Sequence, residues 1–309
     1  MEIQKKQMQE AAILYYEKKH TQSEIAKIMN LSRQTVSKLL NDAVKEGIVE
    51  IKIHNPEVSC KELETEICAR FGIERAIVCG VSGDSEEIRQ IMTVKKAVKY
   101  IQSIIENGNL KIAISWGRTI QRLISEFSDI KTSDNVVFPL FGATEQEQAY
   151  FLSNELARSF ADKIGAKVKY AWFPYRPDSI EDCRLFKKTS YYKSLRALWD
   201  DIDIAIVGIG SREIIQAFSK AFGYNEKCAS AVGDISTHFF DEDGNDLELY
   251  ENTLRVDRDD LKNAKQTIAV ACGKNKTEAI IGALRTQMID TLITDEYTAR
   301  ALLSYLNKK

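Results

Sequence analysis

The chain is expected to fold as an α/β protein, with an N-terminal winged helix-turn-helix and a Rossmann-like, mostly parallel, doubly wound sheet behind it. Three observations predict this. Residues Thr21 to Leu40, TQSEIAKIMNLSRQTVSKLL, read as two short amphipathic helices broken by a turn. From Ala76 onward, short apolar runs alternate with helix-like segments, and several runs are apolar throughout, as strands covered on both faces are. Glycine-bearing loops follow three of those runs just before a helix.

The N-terminal elements follow in order. Ala11, Ala12, Leu14, Tyr15 and Tyr16 suggest a first packing helix. Thr21 and Glu24 have capping-box spacing, so hydroxyl and carboxylate can satisfy free N–H groups where the next helix starts. Ile25, Ile28 and Met29 then share a face, and Asn30-Leu31 makes the turn. Ser32 can cap a further helix whose apolar positions are Val36, Leu39, Leu40, Ala43 and Val44. That leaves Arg33, Gln34, Thr35, Ser37 and Lys38 facing outward, where a recognition helix meets the major groove. Gly47 ends this helix, and Ile48 to Ile53 reads as a short strand or wing with Lys52 and His54 available to phosphate. The candidate DNA-contacting set is Thr21, Gln22, Ser32, Arg33, Gln34, Thr35, Ser37, Lys38 and Lys52. Arginine pairs well with guanine and glutamine with adenine, so Arg33 and Gln34 are the candidates for base readout, the others mainly fixing the helix on the backbone. An ordinary helical hairpin with a polar face is the competing reading of the same spacing.

Pro56 interrupts the wing, which divides the chain into residues 1–55 and 56–309. A helix over Cys60–Phe71 ends at Gly72. Strands are expected at Ala76–Cys79, Leu110–Ser115, Asn135–Leu140, Lys167–Ala171, Asp203–Gly208, Ala229–Val232, Thr267–Ala271 and Asp290–Thr294. Helices are expected at Ile88–Glu106, Thr119–Phe127, Glu145–Ile164, Cys183–Trp199, Glu213–Phe222, Thr277–Thr286 and Asp295–Leu306.

Composition narrows the classes. At 44% hydrophobic and 28% charged, the 309 residues suit a large globular core. No apolar run reaches membrane-spanning length, and the start, MEIQKKQMQEAA, lacks the apolar core of a signal peptide. Six scattered cysteines without a C-x-x-C pair fit reduced thiols, so a cytoplasmic location is expected. Three distant histidines indicate neither a metal site nor a relay triad, and no cofactor is expected. Residues 1–55 hold nine Lys/Arg against seven Asp/Glu. So small an excess points to symmetric duplication, which adds phosphate contacts across subunits.

Ligands of doubly wound sheets bind beyond the carboxyl ends of the strands. There the sequence places Trp116-Gly117-Arg118-Thr119, Gly208-Ile209-Gly210-Ser211 and Cys272-Gly273-Lys274-Asn275-Lys276. Glycine lets backbone N–H groups approach an anion, and helix N-termini favour negative charge, so three such loops point to a small phosphorylated ligand. Asp234 is a candidate acceptor for sugar hydroxyls, or alternatively a turn-capping aspartate. Cys272 reads as a small packing residue, with a redox-sensitive thiol as the alternative.

With these pieces assembled, the chain resembles the SorC family of bacterial sugar-binding transcriptional regulators over nearly its whole length. The resemblance rests on AAILYYEKKHTQSEIAKIMNLSRQTVSKLL, ISWGRTI, IVGIGS, AVGDISTHFFDEDGN, IAVACGKNKTEAIIGAL and LITDEYTARALL. It implies a DNA-reading head on operator duplex and a sugar-isomerase and CoA-transferase-like effector domain. It also implies a dimer or tetramer, and a phosphorylated sugar or polyol as effector. Carried over residue by residue, the pocket comprises Gly117, Arg118, Thr119, Gly142, Gly208, Gly210, Ser211, Asp234, Gly273, Asn275 and Lys276, with Lys276 on phosphate and Asp234 on hydroxyl. The family has two glycines where this chain has Cys272-Gly273 and Gly142-Ala143, and each side chain narrows the approach to an anion. Phe141 excludes an imine-forming lysine at its position.

A regulator whose operator affinity follows a sugar phosphate is therefore the expected function, with no catalytic residue. The alternative is a sugar-phosphate isomerase or deaminase, whose general base would come from Asp234, Asp295 or Glu296. The N-terminal module and the lack of a histidine in these loops weigh against it. A purely architectural protein would leave the glycine loops unexplained.

Overall fold

A computed structural model describes residues 2–50, 59–80, 85–106, 108–130, 134–144, 152–223 and 226–307. The chain divides after Pro56 into two compact units, each with its own apolar core.

The first unit holds α1 (Glu2–Ala12), a π turn over Ile13–Glu17, α2 (Gln22–Ile28) and α3 (Arg33–Lys45). The expected capping box forms: the Thr21 hydroxyl accepts from Glu24 N–H while the Glu24 carboxylate accepts from Thr21 N–H at 2.7 Å. Asn30, at φ 52°, turns the chain, and Ser32 caps α3. Met8, Ala11, Ala12, Ile25, Val36, Leu39, Leu40 and Ala43 form the core, with Met29, Ile48 and Val49 packed on it. Two core expectations fail: Ile28 is 54% and Val44 40% exposed. At 100° per residue Ile28 lies about 60° from Ile25, and Val44 about 100° from Ala43, so both sit beyond the edge of the buried stripe. The expected wing beyond Glu50, with Lys52 and His54, falls outside the described residues.

The second unit runs α4 (Lys61–Phe71), β1 (Arg75–Cys79), α5 (Glu86–Ile105), β2 (Lys111–Ile114), α6 (Arg118–Glu126), β3 (Val136–Pro139), α7 (Ser153–Ile164), β4 (Lys167–Val168), α8 (Ile180–Lys188), α9 (Ser190–Trp199), β5 (Ile204–Gly208), β6 (Gly210–Ser211), α10 (Arg212–Phe222), β7 (Gly233–Ile235), β8 (His238–Phe240), β9 (Asp246–Leu247), α11 (Arg258–Asn263), β10 (Gln266–Val270), α12 (Thr277–Arg285), β11 (Thr291–Asp295) and α13 (Glu296–Leu306). Seven strands form one sheet in the order β1-β11-β10-β5-β2-β3-β4, every pair parallel. All of β11 and most of β5 and β10 are buried, as helices on both faces require.

Departures from expectation are local. The apolar run Ala229–Val232 precedes its strand, because Glu226–Ala229 is a 3-10 turn and β7 starts at Gly233. β7 belongs to a second, antiparallel sheet, β6-β7-β8-β9, whose two- and three-residue strands are too short to show a period. The expected helix Cys183–Trp199 breaks at Thr189, which caps α9. Of the expected strand Lys167–Ala171 only the first two residues pair, at the sheet edge. The helix expected from Glu145 is described from Ser153.

The strand order positions the site. From β2 the chain moves outward to β3 and β4, whereas from β5 it moves the other way to β10 and β11. Loops leaving the adjacent strands β2 and β5 therefore diverge, opening a crevice at their carboxyl ends.

Candidate functional site

In the first unit, Ser32, Arg33, Gln34, Thr35 and Lys38 are exposed along the start of α3, and Ser37 is half-buried. Two of them have local duties. The Ser32 hydroxyl accepts from Thr35 N–H at 3.0 Å and lies 2.8 Å from the Thr35 hydroxyl. Thr21 is likewise spent on its capping box. Thr21, Gln22 and Arg33 line one surface groove with Tyr15, Tyr16 and Lys19, so the start of α2 and the start of α3 present a single polar face.

In the second unit a cavity of about 370 Å³ occupies the crevice between the β2 and β5 loops. That volume suits a small metabolite. Gly117, Arg118, Thr119, Gly208, Gly210, Ser211, Asp234, Asn275 and Lys276 all line it. Two of the glycines named from sequence are not among its lining residues. Gly142 donates its N–H to the Leu254 carbonyl at 2.9 Å, and its own carbonyl accepts from the Ser153 hydroxyl. Gly273 donates to the Thr298 hydroxyl at 2.8 Å, so neither N–H is directed at a ligand. Ala143 bridges to Pro174, and Phe141 lies behind Trp116 with ring centroids 5.5 Å apart.

Helix ends give the cavity its polarity. α5, α8, α9 and α13 are capped by the side chains of Ser85, Ser179, Thr189 and Asp295. The caps of α6, α10 and α12 are Gly117, Ser211 and Lys276, and none of these side chains accepts from its helix. First-turn N–H groups have no partner within a helix, so these ends attract an anion. Gly117, at φ 111°, holds a backbone conformation that disfavours any side chain, which explains glycine there. Across the mouth, Arg118 Nη2 lies 3.6 Å from Glu213 Oε2.

Asp234 sits at the inner wall, 3% exposed. One of its oxygens accepts from Thr237 N–H at 3.0 Å. The other lies so close to Gly210 that a Cβ there would be 1.9 Å from it, so the carboxylate requires this glycine. Burial raises its pKa to about 6, against the opposing influence of the Thr237 N–H, Lys276 and Arg255. Lys276 donates from Nζ to the Ile209 carbonyl at 2.8 Å, and burial lowers its pKa. The Ser236 hydroxyl donates to that of Ser115 at 2.8 Å, tying the hairpin between β7 and β8 to the end of β2. Cys272 is in the wall, its thiol pushed up to about 11 by burial and so protonated at neutral pH.

Sequence reasoning missed Glu86 and Gln90 of α5, Arg122 of α6, and Glu213. No glycine flags them; the only signal was polar residues near the starts of helices that follow strands. The other carboxylates considered for a general base are engaged elsewhere: Asp295 accepts from Thr298 N–H and hydroxyl, and Glu296 pairs with Arg300 at 2.7 Å. Among the described residues, no group of three or more His, Cys, Asp and Glu side chains could hold a metal ion, and no helix is long and apolar enough to cross a membrane.

Comparison with known proteins agrees with this architecture. Residues 55–304 match the family Sugar-bind, described as "Putative sugar-binding domain", and residues 7–46 match Sigma-70, region 4. The chain is 29% identical to the sorbitol operon regulator of Klebsiella pneumoniae, over 94% of this chain and 96% of that one. It is 28% identical to the deoxyribonucleoside regulator of Bacillus subtilis (strain 168), over 99% of this chain and 100% of that one. The crystal structure of the full-length Klebsiella pneumoniae regulator SorC superposes with a TM-score of 0.71 at 28% identity, covering 97% of this chain and 99% of that one. With a helix-turn-helix in front of a matched sugar-binding domain, and relatives over the full length that regulate transcription, the chain belongs to the SorC family of sugar-binding transcriptional regulators.

Proposed function

We propose that residues 1–55 read operator DNA and that residues 56–309 sense a phosphorylated sugar or polyol and assemble the homo-oligomer, so that the effector sets operator affinity in the cytoplasm. The observation that carries this reading is the cavity itself. Uncapped N-termini of α6 and α10 and the half-buried Lys276 supply an anion site, and Asp234 supplies a hydroxyl acceptor beside it. The relatives named above are regulators, and we assign no reaction to this cavity.

The effector acts only through its differential affinity for two arrangements of the paired reading heads. Operator titration with and without a saturating sugar phosphate tests the coupling; identical affinities for every phosphorylated sugar and polyol tried would refute it. On the DNA side, Arg33→Ala is expected to cost on the order of 1–3 kcal/mol per half-site and to relax sequence preference at one position. Binding curves against operator variants check it, and an unaltered preference removes Arg33 from base readout.

A further inference from the structure

One wall of the cavity brings two side-chain acceptors together. Glu86 Oε1 and Asn275 Oδ1 converge beside Gly273, 3.3 Å and 2.8 Å from the point where a Cβ on that glycine would stand. Glu86 is not left to swing freely. Gln90 Nε2 donates to Glu86 Oε1 at 3.3 Å, and Arg122 Nη1 donates to Gln90 Oε1 at 3.0 Å. Arg122 on α6 therefore fixes the Gln90 amide, and that amide orients the carboxylate of α5. All four side chains line the cavity. The anion-attracting features are Lys276, next to Asn275 in one short turn, and the uncapped starts of α10 and of α6, the helix that carries Arg122 one turn further on.

We propose that Glu86, oriented by Gln90 and Arg122, determines specificity: it accepts hydrogen bonds from the hydroxyl end of a singly phosphorylated sugar or polyol and repels a second phosphate. This rests on the reading of the cavity as the site of a phosphorylated effector. The physical reason is asymmetry of charge response. A hydroxyl donates to a carboxylate, whereas a phosphate brings only acceptors and negative charge, so one group serves both attraction and exclusion.

Calorimetric titration of the full chain tests it, using inorganic phosphate and the matched pairs ribose 5-phosphate with ribose 1,5-bisphosphate, glucose 6-phosphate with glucose 1,6-bisphosphate, and fructose 6-phosphate with fructose 1,6-bisphosphate. The wild type is expected to favour the monophosphate of its best pair by about tenfold or more, and Glu86→Gln to remove most of that preference. Gln90→Ala, which frees the carboxylate, is expected to weaken the same preference in part. Glu86 is exposed at the first turn of α5, so its substitution leaves the packing of that helix intact. A wild-type preference for bisphosphates, or an unchanged ratio in Glu86→Gln, overturns the proposal. If the ratio is unchanged while Lys276→Ala loses every phosphorylated probe, the phosphate site stands and only the role of Glu86 falls. If the wild type binds no phosphorylated probe, inorganic phosphate included, both readings fall together.

Discussion

Asp234 shows what it costs the fold to bury a single carboxylate in a cavity wall. Its pKa is raised to about 6 by burial, so the folded state holds the proton more tightly than the unfolded chain does. The stability this gives is full below the ordinary carboxylate range and is lost as pH rises through about 6. Asp234→Asn, which keeps the acceptor for Thr237 N–H without the charge, should raise stability at pH 8 by on the order of 2 kcal/mol, with the gain shrinking toward pH 4. Chemical denaturation at both pH values checks the sign, and effector affinity should fall in the same variant. Gly210→Ala should damage the same carboxylate from the other side, because the new Cβ overlaps Asp234 Oδ1. Loss of effector affinity is its expected readout. Both residues stood out in sequence, one as a carboxylate after an apolar run and the other in a glycine loop. Their contact did not, because it joins β6 to β7 across a sheet too short to be seen in any periodicity.

At the scale of elements, helix ends and one hairpin set the local chemistry of both units. The N-termini of α2 and α3 are capped by the side chains of Thr21 and Ser32, while those of α6 and α10 have no side-chain cap. Thr21→Ala should therefore cost the first unit about 1 kcal/mol, seen as a lowered melting transition. The β7–β8 hairpin turns at Ser236 and Thr237, with φ 48° and 70°, and places His238 fully in the interior. Burial and nearby Arg255 hold the His238 pKa well below its ordinary 6.5, so the folded state keeps the ring neutral while the unfolded chain takes up a proton. Stability from this group is lost as pH falls below about 6.5. His238→Gln should flatten that part of the pH profile, opposite in slope to the contribution of Asp234. Melting curves between pH 5 and 8 for both variants separate the two.

At the scale of the whole molecule, two cores imply two sources of stability. A ligand that binds only the folded second unit, at a hundredfold excess over its Kd, should stabilise that unit by about 2.7 kcal/mol. Scanning calorimetry should show that shift in the transition of residues 57–309, while Thr21→Ala moves the transition of the first unit. Coincident movement of both transitions by either perturbation would show that the units unfold as one. The reading head carries little net positive charge, nine Lys/Arg against seven Asp/Glu in residues 1–55, and the proposed homo-oligomer would add phosphate contacts by duplicating it. Its salt dependence should therefore steepen with oligomer size rather than with any single lysine.

Local chemistry made much of this legible in advance. Thr21 with Glu24, Ser32, Gly47 and Gly72 mark helix ends through hydrogen bonds within three or four residues, and continuous apolar runs mark strands buried on two faces. These signals act over short stretches of chain, so the helix-turn-helix, the alternating architecture and the three loops that line the cavity followed from sequence. Distance in sequence hid the rest. Ile28 and Val44 faced outward because only the packed stripe decides which apolar residue is its edge. Gly142 and Gly273 are not among the residues lining the cavity, and their N–H groups go to Leu254 and Thr298, far along the chain. Glu86, Gln90 and Arg122 entered the cavity only because strand order laid α5 and α6 beside the crevice between β2 and β5. A side chain announces its own hydrogen-bonding capacity, but which partner uses that capacity is decided by the fold that brings them together.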